Sequence, residues 1–199
     1  MTSFTPFRSP RLTYRAAEDN DADDAFVHSL QSHPASYATS SINLLKPQAK
    51  RDTLNEYKKY LTSDKALIAV IIELPPGAHP SQINPTPTPI GVIALRAPAP
   101  DLAHHRETNL SVDIAHDYQN RGYGSEAINW ILDWAFRIAG VHRVTAEAVG
   151  YNVGAVRLYQ RLGFTVEGRR REAFWFDGAW HDDVLFGMLE GEWRGLRGL

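Results

Sequence analysis

Residues Glu107 to Phe164 decide the fold, and the run Gln119-Asn120-Arg121-Gly122-Tyr123-Gly124 is their most informative part. Before it, Thr108-Asn109-Leu110-Ser111-Val112-Asp113-Ile114 alternates apolar and polar side chains, the pattern of a strand with one buried face. After it, Ala127, Ile131, Trp134, Ala135 and Ile138 recur at helical spacing until Gly140 stops the helix. The turn between them holds two glycines and an arginine and opens directly into the helix. A helix N-terminus presents unpaired N–H groups and about half a positive charge. Glycine lets a ligand approach those groups because no Cβ intervenes. The predicted occupant is a phosphate or pyrophosphate.

This arrangement resembles the acyl-CoA loop of the GNAT superfamily of N-acetyltransferases, whose pattern is Gln/Arg-x-x-Gly-x-Gly/Ala; here it reads Gln119-x-x-Gly122-x-Gly124. A second segment, with Asn152, Ala155, Tyr159, Gly163 and Phe164, is similar to the family's Asn-x-x-Ala/Ser-x-x-x-Tyr-x-x-x-Gly-Phe. The stretch from Gly168-Arg169-Arg170 to Asp177-Gly178-Ala179-Trp180-His181-Asp182-Asp183 looks like one branch, whose named members acetylate α-amino groups of ribosomal proteins and many of whose relatives act on small molecules. The resemblance runs from about Arg11 to Leu189, with its specificity concentrated after Glu107.

The resemblance implies an α/β (α+β) domain: a mixed, mostly antiparallel twisted sheet flanked by helices, with a V-shaped splay between strands 4 and 5. It implies acetyl-CoA as co-substrate. The backbone of Val112, Asp113 and Ile114 would pair with the pantetheine arm, and the N–H groups of Gln119, Asn120, Arg121, Gly122, Tyr123, Gly124 and Ser125 would hold the pyrophosphate. Arg121 would add positive charge and Ser125 a hydroxyl. Asn152 would cap its helix, as Asn does well, and contact the cofactor. Tyr159 would be the general acid for the departing thiolate, since a phenol with an ordinary pKa near 10 is protonated at neutral pH.

Many relatives carry a glutamate as general base where this chain has Asn109, and an amide cannot accept a proton at neutral pH. Glu107 and Asp113 share that strand face by the two-residue repeat, so either can substitute, directly or through water. The implied reaction is direct attack of a neutral primary amine on the thioester in a ternary complex. The acceptor is a small-molecule or peptide amine; protein N-termini, lysines, polyamines and amine-bearing antibiotics all fit.

The bulk properties agree with one domain. The chain has 199 residues, of which 43% are hydrophobic and 22% charged, ordinary for a globular protein. A net charge of −2 and the absence of cysteine give no basis for nucleic-acid or anionic-membrane binding, disulfides, thiolate metal sites or a cysteine nucleophile. Met1 to Arg15 holds no apolar run, so a cytoplasmic location is expected. His104 and His105 lack further ligands at a diagnostic metal spacing.

Residues 1–10 read as a loose lead-in and 11–190 as the domain. Within it, 75–89 forms a proline-rich loop insert between paired strands, and 191–199 follows as a C-terminal tail. Arg11 to Ala16 reads as a first strand. The acidic run from Glu18 to Asp24 reads as capping and solvated charge before a helix that His33-Pro34 ends. A single helix is predicted over Pro47 to Leu61. By resemblance the first two helices border the acceptor cleft, so Ser36 to Leu45 help choose the substrate. Asp177-Gly178 marks a hairpin, and a homodimer through the late strands is left open.

Two rival readings remain. Gly122-x-Gly124-x-x-Ala127 also fits a dinucleotide fingerprint, but that fold needs its glycines right after the first strand and further βαβ units beyond. A GNAT-like module that binds acyl-CoA or a partner protein without transfer is favoured by Asn109 and opposed by Tyr159.

Overall fold

The structure, a computed structural model, describes residues 6–77 and 86–199. Most of the proline-rich insert therefore lies outside the described residues. The strands are β1 (Thr13–Arg15), β2 (Ala66–Leu74), β3 (Thr88–Arg96), β4 (Glu107–Ile114), β5 (Arg143–Val149), β6 (Thr165–Phe176) and β7 (Ala179–Leu189). They form one sheet in the order β1-β2-β3-β4-β5-β7-β6. Every neighbouring pair is antiparallel except β4 and β5.

That parallel pair creates the cleft. β4 and β5 share the register pairs Glu107↔Arg143, Thr108↔Val144 and Asn109↔Thr145, whereas β4 stays paired with β3 as far as Ile114↔Gly91. Beyond Asn109 the two strands part, as expected for the splay.

Both faces of the sheet are covered, which explains the nearly unbroken apolar run in β3. Alternate residues point to opposite faces. Ile93 and Leu95 join the larger core with Ile128 and Ile131 of α5 (Tyr123–Arg137), while Val92 and Ala94 join a smaller core with Val27 and Leu30 of α1 (Asp21–Ser32). At the end of the sheet, Asp177 (φ 48°) and Gly178 (φ 77°) both adopt left-handed backbone, the requirement of a two-residue hairpin whose twist matches its strands.

Four sequence expectations change. The lead-in is anchored from Pro6 onward: Trp130 donates to the Pro6 carbonyl at 3.1 Å and Ser9 donates to Glu126 at 2.7 Å. The acidic run is more than solvated charge, because Asp23 is 2% exposed, and Arg15 grips both its oxygens at 2.7 Å. The Arg15 guanidinium holds that carboxyl below its ordinary range. The helix expected over Pro47 to Leu61 runs unbroken from Lys50 to Leu61 but changes pitch, as α3 (Lys50–Thr53), a π-helical turn (Leu54–Lys58) and α4 (Lys59–Leu61). The tail forms α7 (Glu190–Arg197), whose Trp193 is 1% exposed against Phe136 and donates to Asp133 at 2.9 Å.

Candidate active site

The loop between β4 and α5 is built to leave N–H groups available. Asn120 (φ 59°) and Gly122 (φ 81°) curl the chain through left-handed backbone, which aims successive N–H groups into one concavity. The helix cap Gly122 makes no side-chain bond to α5, whereas Asn20 and Asn152 cap their helices with side-chain oxygens. The first-turn N–H groups of α5 have no intrahelical acceptor. Gln119 turns its side chain back onto the Ile114 carbonyl at 2.9 Å and spends its backbone N–H on the His116 carbonyl at 3.2 Å, so it steadies the loop and, contrary to expectation, offers no free N–H to an anion. A Cβ placed on Gly124 would sit 3.7 Å from Leu158 and 3.8 Å from Ile114, so this glycine opens onto the space between the end of β4 and α6 (Val153–Arg161).

Two arginines at this loop were missed in the sequence. Arg11 donates to Glu126 at 2.7 Å and to the Arg121 carbonyl at 3.1 Å, and lies over the Tyr123 ring. Arg161, from the last turn of α6, donates to the Ser125 hydroxyl at 3.2 Å. Each comes from a distant element, and no local motif marks either. With Arg121, which lies over Tyr118, they give the helix entrance a cationic rim. The loop geometry, the uncapped first turn and this rim fit a pyrophosphate group.

Across the splay, α6 carries Tyr159 inward. The ring is 4% exposed, packed edge-on to Phe164 and tilted against Phe186. Burial, reinforced by the nearby Asp113 charge, pushes its phenol pKa well above the ordinary value. Asn152 caps α6, accepting from the Ala155 N–H at 3.0 Å, while its amide donates to the Thr39 carbonyl at 3.0 Å. Thr39 belongs to α2 (Pro34–Ser40). The neighbouring Tyr151 hydroxyl reaches the Ala38 carbonyl at 2.6 Å, so α2 is tied across the cleft at two points.

The two candidate bases sit in different places. Glu107 lies where β4 and β5 are still joined, is exposed, and pairs with Arg143 at 3.4 Å. Six residues of strand, roughly 20 Å, separate it from Asp113. Asp113 thus lies on the open stretch of β4, within electrostatic reach of Tyr159, and Glu107 at the closed end of the seam. Asn109 bridges the seam through Thr145 at 3.3 Å.

Asp113 is half-buried, and three elements converge on it. Tyr57 donates to its Oδ2 at 2.6 Å, Gln31 of α1 donates to the same oxygen at 3.3 Å, and Ser40 supplies a further side-chain bond. Burial raises the carboxyl pKa, and the three hydrogen bonds partly offset this. Burial and the facing carboxylate also drive the Tyr57 phenol well above its ordinary value, so it remains a donor. The spacing of Leu54, Tyr57, Lys58 and Leu61 puts Tyr57 on the buried stripe of its helix, but no local pattern marks its bond to Asp113, which lies far away in the sequence.

An open parallel seam in a mostly antiparallel sheet, an uncapped anion-facing helix and a buried tyrosine opposite define a GNAT-type acyl-transfer fold. Residues 11–165 match the family described as Acetyltransferase (GNAT) domain, and the chain belongs to it.

The spermidine N(1)-acetyltransferase of Vibrio cholerae is 33% identical over 89 residues, 45% of this chain and 51% of that protein. The [Ribosomal protein uS5]-alanine N-acetyltransferase of Escherichia coli is 30% identical over 84 residues, 42% of this chain and 43% of that protein. The chain thus matches about half the length of these curated relatives. Among solved structures, spermidine N-acetyltransferase from Vibrio cholerae in complex with CoA and spermine gives a TM-score of 0.75 at 23% identity, covering 93% of this chain and 99% of that one. A GNAT-family acetyltransferase from Bacillus anthracis gives 0.72 at 20% identity, covering 93% and 98%. These two likenesses concern the fold.

Proposed function

We propose that this protein is an acetyl-CoA-dependent N-acetyltransferase acting on a primary amine, with Asp113 rather than Glu107 as the proton acceptor and Tyr159 as the hydrogen-bond donor to the thioester sulfur. The observation that carries this reading is the opening of β4 from β5 beyond Asn109, with the Asp113 carboxyl held on the open strand by Tyr57 at 2.6 Å; burial, reinforced by that charge, favours the protonated Tyr159 phenol. The loop from Asn120 to Ser125 would hold the pyrophosphate, with Arg121, Arg11 and Arg161 around it. The unpaired edge of β4 from Val112 to Ile114 would receive the pantetheine arm, and a backbone N–H on that edge would polarise the thioester carbonyl.

The acceptor amine approaches from the side of α1, α2 and the π-helical turn, where Asp113 lies. An ammonium loses a proton to Asp113, whose raised pKa makes it a better base than a solvated aspartate. The free amine forms the new N–C bond, the C–S bond breaks, and its electron pair remains on sulfur. Tyr159 is held protonated, so it stabilises the thiolate by donating a hydrogen bond. The thiolate takes up the second proton, which nitrogen loses as the amide forms, and Asp113 returns the first to solvent. Positioning two reactants in one cleft contributes about 7–11 kcal/mol in favourable cases.

The test is free-thiol release from acetyl-CoA over a panel of amines, with the parent protein and Tyr159→Phe. Turnover that falls by about 100-fold in the variant while acetyl-CoA affinity is retained supports the assignment. Acetyl-CoA binding without transfer to any amine overturns it and leaves an acyl-CoA-binding module. The seam-bound Asn109 is the observation that favours that second reading.

A further inference from the structure

Beside the splay lies a pocket of about 370 Å³ formed by two segments that the catalytic pair does not use. One wall is the chain after α2, with Ile42, Leu44 and Leu45; the other is the tip of the β6–β7 hairpin, with Trp175, Phe176 and Asp177. Tyr151 lies between them, stacked on Phe176 at 4.7 Å. Apolar side chains on both walls stand open to solvent: Leu44 is 82% exposed and Trp175 is 61% exposed.

The pocket adjoins the splay, since Ala38 of α2 and Tyr151, joined by a 2.6 Å hydrogen bond, both line it. Ala38 and Ser41 line it, while Ser40 between them bonds Asp113. Tyr151 faces it, and the next residue caps the helix that carries Tyr159.

Its charge is unusual for a site that would take a polyamine. Among the described lining residues Asp177 is the sole carboxylate, and no basic residue is present. A lining of leucine, isoleucine and aromatic side chains with one carboxylate suits the uncharged apolar body of an acceptor whose single amine lies outside it, at Asp113. A polyamine would bring additional ammonium groups against leucine, isoleucine and aromatic walls without counter-charges, which is unfavourable.

Resting on the transferase reading above, we infer that the acceptor is a singly charged primary amine on an apolar or aromatic body, the body held by Trp175 and Leu44 while the amine lies at Asp113, and not a polyamine. A free arylalkylamine and a peptide N-terminus with a bulky apolar first residue share this chemistry.

The experiment compares kcat/KM at fixed acetyl-CoA for 2-phenylethylamine, peptides beginning with Phe or Leu, a peptide beginning with Asp, spermidine and spermine. The apolar amines should exceed spermidine by about 100-fold or more, the scale on which apolar pockets discriminate. Whichever of the free amine and the peptides is faster assigns the source. Trp175→Ala and Leu44→Gln alter exposed side chains and should raise KM for the preferred amine about 10-fold with little change in kcat. Preference for spermidine, or unchanged KM in both Trp175→Ala and Leu44→Gln, overturns the inference while leaving the transferase reading intact. Failure to acetylate any amine overturns both.

Discussion

The hydroxyl of Tyr57 lies 2.6 Å from Oδ2 of Asp113, joining a π-helical turn to the strand that borders the cleft. This contact links a backbone irregularity to the proposed chemistry. It also makes the protonation of one carboxyl a property of three converging elements, because Gln31 and Ser40 bond the same group.

Asp113→Asn separates activity from stability. The folded carboxyl holds its proton more tightly than the unfolded one, because burial outweighs its hydrogen bonds. Its stabilising contribution is therefore complete below the unfolded pKa near 4 and is lost as pH rises through the higher folded value. At neutral pH the fold carries an ionised, partly buried group. The amide should thus leave Tm at pH 7 unchanged or higher, while kcat falls by about 100-fold or more and the acidic limb of the pH–rate profile disappears. Thermal unfolding and a kcat/KM profile from pH 5 to 9 check both parts. A variant with full activity and an intact limb would remove Asp113 as the base.

Tyr57→Phe tests positioning. Its hydrogen bond favours the ionised carboxylate, so loss of the hydroxyl should move the acidic limb to higher pH. A purely structural tyrosine would change stability without moving the limb, and the same pH series distinguishes the two.

Gly124 gives a graded test of the cofactor loop. A single Cβ meets only ordinary contacts with Leu158 and Ile114, so Gly124→Ala should fold normally. Gly124→Leu should fill the space beside them and weaken acetyl-CoA binding by at least about 100-fold, measured by titration calorimetry. Equal affinity in the two variants would place the cofactor elsewhere.

α7 contributes to the domain core. Trp193→Ala removes a side chain that is 1% exposed and breaks its bond to Asp133. A loss of about 3–5 kcal/mol is expected from chemical denaturation. An unchanged midpoint would show that the helix is dispensable.

Much of this architecture was legible because local patterns and tertiary demands agreed. The alternation from Thr108 to Ile114, the helical repeat after Gly124 and the Asp177-Gly178 turn all became the expected elements. The site was legible where its residues were near in sequence. It was obscure where distant elements converge: Gln31, Ser40 and Tyr57 on Asp113, or Arg11 and Arg161 on the helix entrance. The π-helical turn leaves no mark in the sequence, although the stripe through Tyr57, Lys58 and Leu61 is buried or half-buried as its spacing predicts, and α7 has its apolar anchor concentrated in Trp193 among many polar residues. Asp23 belongs to an acidic run that looks solvated until Arg15 of β1 is seen to cover it.

The three β4–β5 pairs close one end of the splay, and the contacts of Ala38 and Thr39 with Tyr151 and Asn152 close the other. The opening is therefore a framed window rather than an open hinge. In the transferase reading, the thioester arm threads the window from the α5 face while the amine waits on the α2 face. Each product then has its own exit, and the acetylated amine can leave before or after the spent thiol without the two halves of the sheet moving apart.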